Sequence, residues 1–258
     1  MGNPGCRRVC AGQRTHQPAC HRTVRQVSEL ASTATVLRTK SVRFQVRKKS
    51  MGITAAAQVA PYITAWSAEQ SLPCQLVERP GYGLVYADEL LTDRDGRGVL
   101  WQRSSVRQTV GRPEFGKVHR LRQRRAMLRL LCQVCSGPAD QTGDGVLWLL
   151  RDHRDDWRGW PEGMASVEPP VCVPCVAVSL KLCPALRRGA AAVRVREFPV
   201  VGVRGALYQQ GAVAPVAIEA VNVAYDDPVV RWVVASALVR ELRDCTVVPT
   251  EELAGTRL

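Results

Sequence analysis

Apolar positions along this chain fall into short runs broken by glycine, proline and polar residues. None reaches the roughly 18 residues that would suggest a membrane-crossing helix. From Gly81 the pattern is that of small strands. Leu84-Val-Tyr86 and Gly98-Val-Leu-Trp101 flank the turn-forming Asp93-Arg-Asp-Gly96, which predicts a β-hairpin. A similar phrase at residues 143–150 predicts a second hairpin, with a strand over 146–150. Residues 119–131 place Leu121, Met127, Leu128 and Leu131 on one side of an amphipathic helix and Arg122, Arg125 and Arg129 on another. Residues 175–188 read as a helix stopped by Gly189. Residues 192–198 and 200–208 read as strands joined at Pro199. The last element opens at Asp227-Pro228, an N-cap followed by a first-turn proline, and continues through Val233, Val234, Leu238, Val239 and Leu242. Being apolar around most of its girth, it is expected to be a buried C-terminal helix.

Cysteine spacing adds chemistry to this outline. Cys132-Gln-Val-Cys135 and Cys172-Val-Pro-Cys175 are two C-x-x-C pairs separated by 36 residues. Two such pairs can supply four thiolates to one tetrahedral zinc, and four protein ligands close the site as a structural one. Gly137 and Pro138 turn the chain away from the first pair. Pro169 and Pro170 bring an extended approach to the second, and Pro174 sits where a helix would start. That helix would direct the positive end of its dipole at the doubly negative zinc–thiolate group. Cys74, Cys183 and Cys245 stand apart and are expected to be packed thiols.

The net charge of +13 is unevenly spread. Residues 1–50 hold 11 basic groups against Glu29 alone, leaving 25 basic and 22 acidic groups for the rest. A basic tail over 1–50 and a single domain over 51–258 follow, with Met51 an alternative start of translation. Cys6, Cys10, His16, Cys20 and His21 in the tail match no zinc-finger spacing. Arginine outnumbers lysine 31 to 5, a bias typical of a GC-rich genome, so arginine content alone is a poor index of nucleic-acid binding. Paired cysteines in a chain of this length favour metal in a reducing compartment over a secreted disulfide scaffold, and the N-terminus lacks the apolar core of a signal peptide. A cytoplasmic protein without membrane association is expected. Gly111-Arg-Pro-Glu-Phe-Gly-Lys117 matches most of a phosphate-binding P-loop but is followed by Val118, where the magnesium-binding hydroxyl would stand.

A knuckle at 132–135, a hairpin, and a helix bearing the second pair resemble a treble-clef zinc finger, here a module over 130–189. Residues 132–176 also resemble the core of the HNH endonuclease family, in which an Asp-His pair and a glycine-containing loop lie between two C-x-x-C pairs. Asp152-His153, Gly159 and Gly163 occupy those places. The resemblance implies that His153 would activate water and Asp152 would bind a catalytic divalent metal. The family's middle Asn is missing, with Ser166 and Val167 in its neighbourhood, and Val176 stands where the family has a metal-binding His or Asn. Over residues 80–250, phrases such as Leu131-Cys-Gln-Val-Cys and Glu168-Pro-Pro-Val-Cys resemble a protein type of Streptomyces-like actinobacteria to which no activity is attached.

The expectation is an α+β fold with a treble-clef module embedded between hairpins and helices. The cofactor is structural zinc on Cys132, Cys135, Cys172 and Cys175. The function is non-enzymatic interaction with nucleic acid or protein, with Arg122, Arg125 and Arg129 as the phosphate-contacting candidates. An HNH-type nuclease using Asp152 and His153 is the alternative.

Overall fold

Short strands come first among the described residues. In the computed structural model, which describes residues 60–254, β1 (Thr64–Trp66), β2 (Leu76–Arg79), β3 (Gly83–Tyr86), β4 (Leu100–Trp101) and β5 (Pro113–Val118) precede helix α1 (Arg120–Arg129). Then follow β6 (Gln141–Thr142), β7 (Gly145–Arg151), β8 (Met164–Ser166) and helix α2 (Val173–Leu182). Last come the long strands β9 (Ala190–Glu197), β10 (Val200–Gln209), β11 (Val216–Ala224) and β12 (Val233–Val248), and a short helix α3 (Thr250–Ala254). The basic tail over 1–50, the start at Met51 and the cysteine–histidine set at 6–21 lie outside the described residues. Among the described residues no helix is long and apolar enough to cross a membrane.

Helices and strands are both present, with sheet predominating. The principal sheet runs β11-β10-β12-β9-β7-β6, and β4 and β8 pair with β12 in addition. β12 is its axis. β10 pairs antiparallel with residues 233–240 of β12 and β9 with residues beyond, so residues 190–209 run back along almost its whole length. Pro199 interrupts this ribbon, yet its carbonyl still accepts from the Glu241 N–H at 3.1 Å. The opposite edge of β12 takes β4 in parallel and β8 antiparallel.

The expected C-terminal helix is therefore a strand. Asp227 does cap, accepting from the Val229 N–H at 2.8 Å, but it starts only the 3-10 turn Pro228–Trp232. From Val233 the chain is extended for 16 residues. Neighbours cover both faces of a central strand, so its sequence is apolar at successive positions and imitates a buried helix. The β-branched valines, stiff at χ1, favour the strand. The first expected hairpin is also corrected. Asp95 does organise a turn, accepting from the Arg97 and Val99 N–H groups, but β3 pairs with β2 and β4 crosses to β12. Local turn chemistry is as expected, but β3 pairs back with the strand just before it, and only β4 takes its partner from far away in sequence.

The second hairpin forms as β6–β7. Gly145 has φ +113°, and a Cβ there would lie 2.3 Å from the Val195 carbonyl, so glycine is required. β7 is buried on both faces. Val146, Trp148 and Leu150 pack with Val193, Val195 and Leu242, whereas Leu147 and Leu149 face Val171, Val176 and the cysteines. The P-loop-like stretch is mostly the strand β5, paired with β1.

Candidate metal centre

Helix α1 delivers the first cysteine pair. Leu130 adopts a left-handed conformation at the helix end (φ +49°), and Leu131 donates back to the Ala126 carbonyl at 3.0 Å. The chain enters Cys132 directly. The knuckle closes when Cys132 N–H donates to the Gly137 carbonyl (2.7 Å) and Ser136 N–H to the Cys132 carbonyl (2.9 Å), with Ser136 at φ +62°. Val134 N–H points at the Cys132 sulfur, 3.4 Å away.

The second pair is docked against the first. Cys172 is the N-cap of α2, with Pro174 in the first turn, and Cys175 lies in the helix. Gln133 holds the two halves together. Its backbone N–H donates to the Pro170 carbonyl at 3.0 Å and its side-chain amide to the Pro169 carbonyl at 2.9 Å. Val171 continues the clamp, donating to Leu147 of β7 and accepting from Asp140.

The four sulfurs of Cys132, Cys135, Cys172 and Cys175 consequently lie within 4.8 Å of one another, a cluster that could hold a metal ion. All four are free of disulfide bonds, and the Cys135 and Cys172 sulfurs are 3.7 Å apart. A tetrahedron with metal–sulfur bonds of about 2.3 Å has edges of about 3.8 Å. The observed pair fits such an edge. Cys132 and Cys175 are buried, and Cys135 is exposed. Burial pushes the Cys172 thiol up to about 11 and raises Cys175 further. At Cys135 partial burial is outweighed by hydrogen bonds from the Gly137 N–H and the other thiols, which lower it. A bound cation supplies the charge that would make four neighbouring thiolates compatible.

Asp152 and His153 lie beyond the end of β7. The Asp152 carboxylate accepts from Arg154 Nε and from the Arg154 N–H, and Arg154 holds it below the usual carboxylate range. His153 Nδ1 contacts the Asp156 carboxylate. Val176 is fully buried among Leu147, Leu149 and Ala192. Cys183 caps the end of α2 outside the cluster, and among the described residues no other such group of His, Cys, Asp or Glu comes together.

The arginines of α1 divide. Arg122 turns inward and forks onto Glu69, at 2.7 and 2.6 Å, with a further bond to the Thr64 carbonyl. Arg125 and Arg129 are exposed beside Leu121 and Leu128, both of which face outward despite the expected apolar stripe. The buried stripe is instead Arg122, Gln123, Ala126 and Met127. Gln123 was missed in sequence. Its side chain donates to Val167 and Leu238 carbonyls and accepts from Leu238 N–H, fixing α1 to β12. Arg240 of β12 adds bonds to the Met127 carbonyl. A polar pair at helical spacing with Ala126 and Met127 was the available signal for this inward face. Compared with protein-family models, curated proteins and solved structures, the chain matches none of them.

Proposed function

We propose that the cysteine cluster holds one zinc ion as a closed structural site of treble-clef type, and that the protein is a non-enzymatic, cytoplasmic, nucleic-acid-binding module. Four thiolates leave zinc no open position for water or substrate, which argues for scaffolding rather than catalysis. The knuckle, the β6–β7 hairpin and a helix carrying the second pair follow one another in the order of a treble clef. Because the knuckle begins at the C-terminal end of α1, the metal would hold that helix in place.

The observation that carries the nucleic-acid reading is the outer face of α1. The helix contains no acidic residue, and Arg125 and Arg129 are solvent-exposed. Cations presented this way suit phosphate contact, which is sequence-independent and salt-sensitive. Arg124 is withdrawn from the same face by stacking over Trp101, 4.3 Å from the ring centre.

The test is fluorescence anisotropy of the full chain with duplex and single-stranded DNA across a salt series. Replacing both Arg125 and Arg129 by Gln should weaken binding and reduce the salt slope by about 1.4–1.8. Unchanged affinity and slope would remove α1 from the interface. Incubation of the same DNA with magnesium or manganese should leave it intact. Cleavage abolished by His153→Ala, with zinc retained, would replace this reading with the HNH nuclease.

A further inference from the structure

A cleft of about 760 Å³ lies beside the first turn of α1 and is separate from the metal cluster. Ser71, Ser104 and Ser236 line it together with Lys117, Arg120 and Arg204. Arg120 is only partly exposed, and its guanidinium meets hydroxyls alone: Nη2 is 3.3 Å from Ser71 Oγ and Nη1 3.5 Å from Ser104 Oγ. Its Nε is buried without an acceptor. Among the described residues no carboxylate pairs with it, and burial lowers its basicity.

The acids in the cleft wall are already engaged. Glu69 accepts from Arg122 and from the Trp66 and Arg107 N–H groups, and its side chain is withdrawn from solvent. Glu114 pairs with Lys117 at 3.2 Å. Arg204 donates to Asn222, a neutral partner. His119, adjoining Arg120, is buried and held towards its neutral form, mainly by desolvation. A partly desolvated cation without a counter-charge is costly, and the arrangement favours an anion entering from solvent.

We propose that this cleft binds a phosphate-class oxyanion, anchored by Arg120 and received by the hydroxyls of Ser71 and Ser104. Each hydroxyl accepts from Arg120 and keeps its own hydrogen to donate. The guanidinium fork supplies charge-assisted bonds in a plane, the geometry in which arginine recognises phosphate. Arg204, whose partner Asn222 is neutral, adds positive charge. The volume exceeds that of inorganic phosphate and lies within the range of small-molecule sites, so a phosphomonoester of nucleotide size fits the space. The inference is independent of the outer face of α1.

Calorimetric titration of the full chain at fixed ionic strength tests it, using inorganic phosphate, a nucleoside monophosphate and a short single-stranded oligonucleotide, with chloride as control. Inorganic phosphate or the monophosphate should bind saturably. Arg120→Gln should weaken that binding about tenfold or more, as expected for loss of charged hydrogen bonds, whereas Arg125→Gln should not change it. Weakening of the oligonucleotide alone by Arg120→Gln would identify the phosphate as that of a strand. If Arg120→Gln does not fold, the double change Ser71→Ala and Ser104→Ala must weaken binding instead. Absence of saturable binding to all three probes, an equal response to chloride, or wild-type affinity in the folded variants would overturn the proposal.

Discussion

Residues 60–131 and residues 132–189 both contribute little regular sheet, yet they fix their loops by opposite means. The first region uses arginine–carboxylate forks that are complete within the protein. Arg122 clasps Glu69, Arg94 clasps Glu89, and Arg103 clasps Asp93 while lying over the Tyr86 ring. The second gathers four sulfurs whose charges, once all are ionised, repel one another. Ion pairing supplies both signs from the chain. If the thiol cluster holds the proposed metal, its positive partner comes from outside, so one region should answer to acid and the other chiefly to metal supply.

The largest expected effect is loss of that metal. Purified protein should contain about one zinc per chain, and Cys175→Ala should lose it together with cooperative melting. Structural zinc contributes apparent binding energies of about 10–16 kcal/mol. A metal-free preparation that melts like the untreated protein would show that the cysteines are simply packed thiols. Next is Glu69→Gln, which leaves Arg122 buried without its counter-charge and should destabilise by about 3–5 kcal/mol in denaturant titration. Glu69→Leu with Arg122→Met should recover part of this loss, the remainder reflecting the Trp66 and Arg107 N–H groups and the Thr64 carbonyl left without partners.

Acid should separate the two regions. Arg103 holds Asp93, and Arg94 holds Glu89, below their ordinary values. Glu69 is opposed by burial but lowered on balance by Arg122 and the Trp66 N–H. For such depressed carboxyls the added stability is present above the unfolded values near pH 4, and is lost as pH falls through the folded ones. Melting temperature of metal-saturated protein should therefore drop below about pH 4. Metal retention against a chelator should decline at higher pH, because protons compete for every thiolate. A single transition shared by both readouts would mean that the regions do not fail separately. The smallest effect is Gln133→Ala, costing about 1 kcal/mol for the bond to Pro169, and more in the metal-free protein than in the loaded one.

Much of this organisation was legible in the residues. The spacing of the cysteine pairs, the strand before Asp152, the ribbon interrupted at Pro199 and the helix ahead of Cys132 all follow from local signals. Arg122 did not, because its inward turn depends on Glu69, 53 positions earlier, accepting from both of its Nη atoms. β12 did not, because burial on both faces erases the alternation that marks a strand. The pairing of Leu100 and Trp101 with Val234 and Ala235 likewise joins segments more than a hundred residues apart, which no window of sequence contains.

The position of β12 after every strand it pairs with has a consequence for biosynthesis. All four cysteines have been made by residue 175, together with the β6–β7 hairpin and the first turn of α2. The strand that joins β4, β8, β9 and β10 emerges only with residues 233–248. During vectorial synthesis, metal loading can precede sheet closure, whereas no completed sheet can precede the last strand. A ribosome-stalled chain ending just before residue 233, with Cys172 and Cys175 clear of the exit tunnel, should already retain zinc while its apolar sheet edges await their partner. Such an intermediate would be the form most exposed to aggregation, and the form in which early metal capture does most to hold the nascent chain in register.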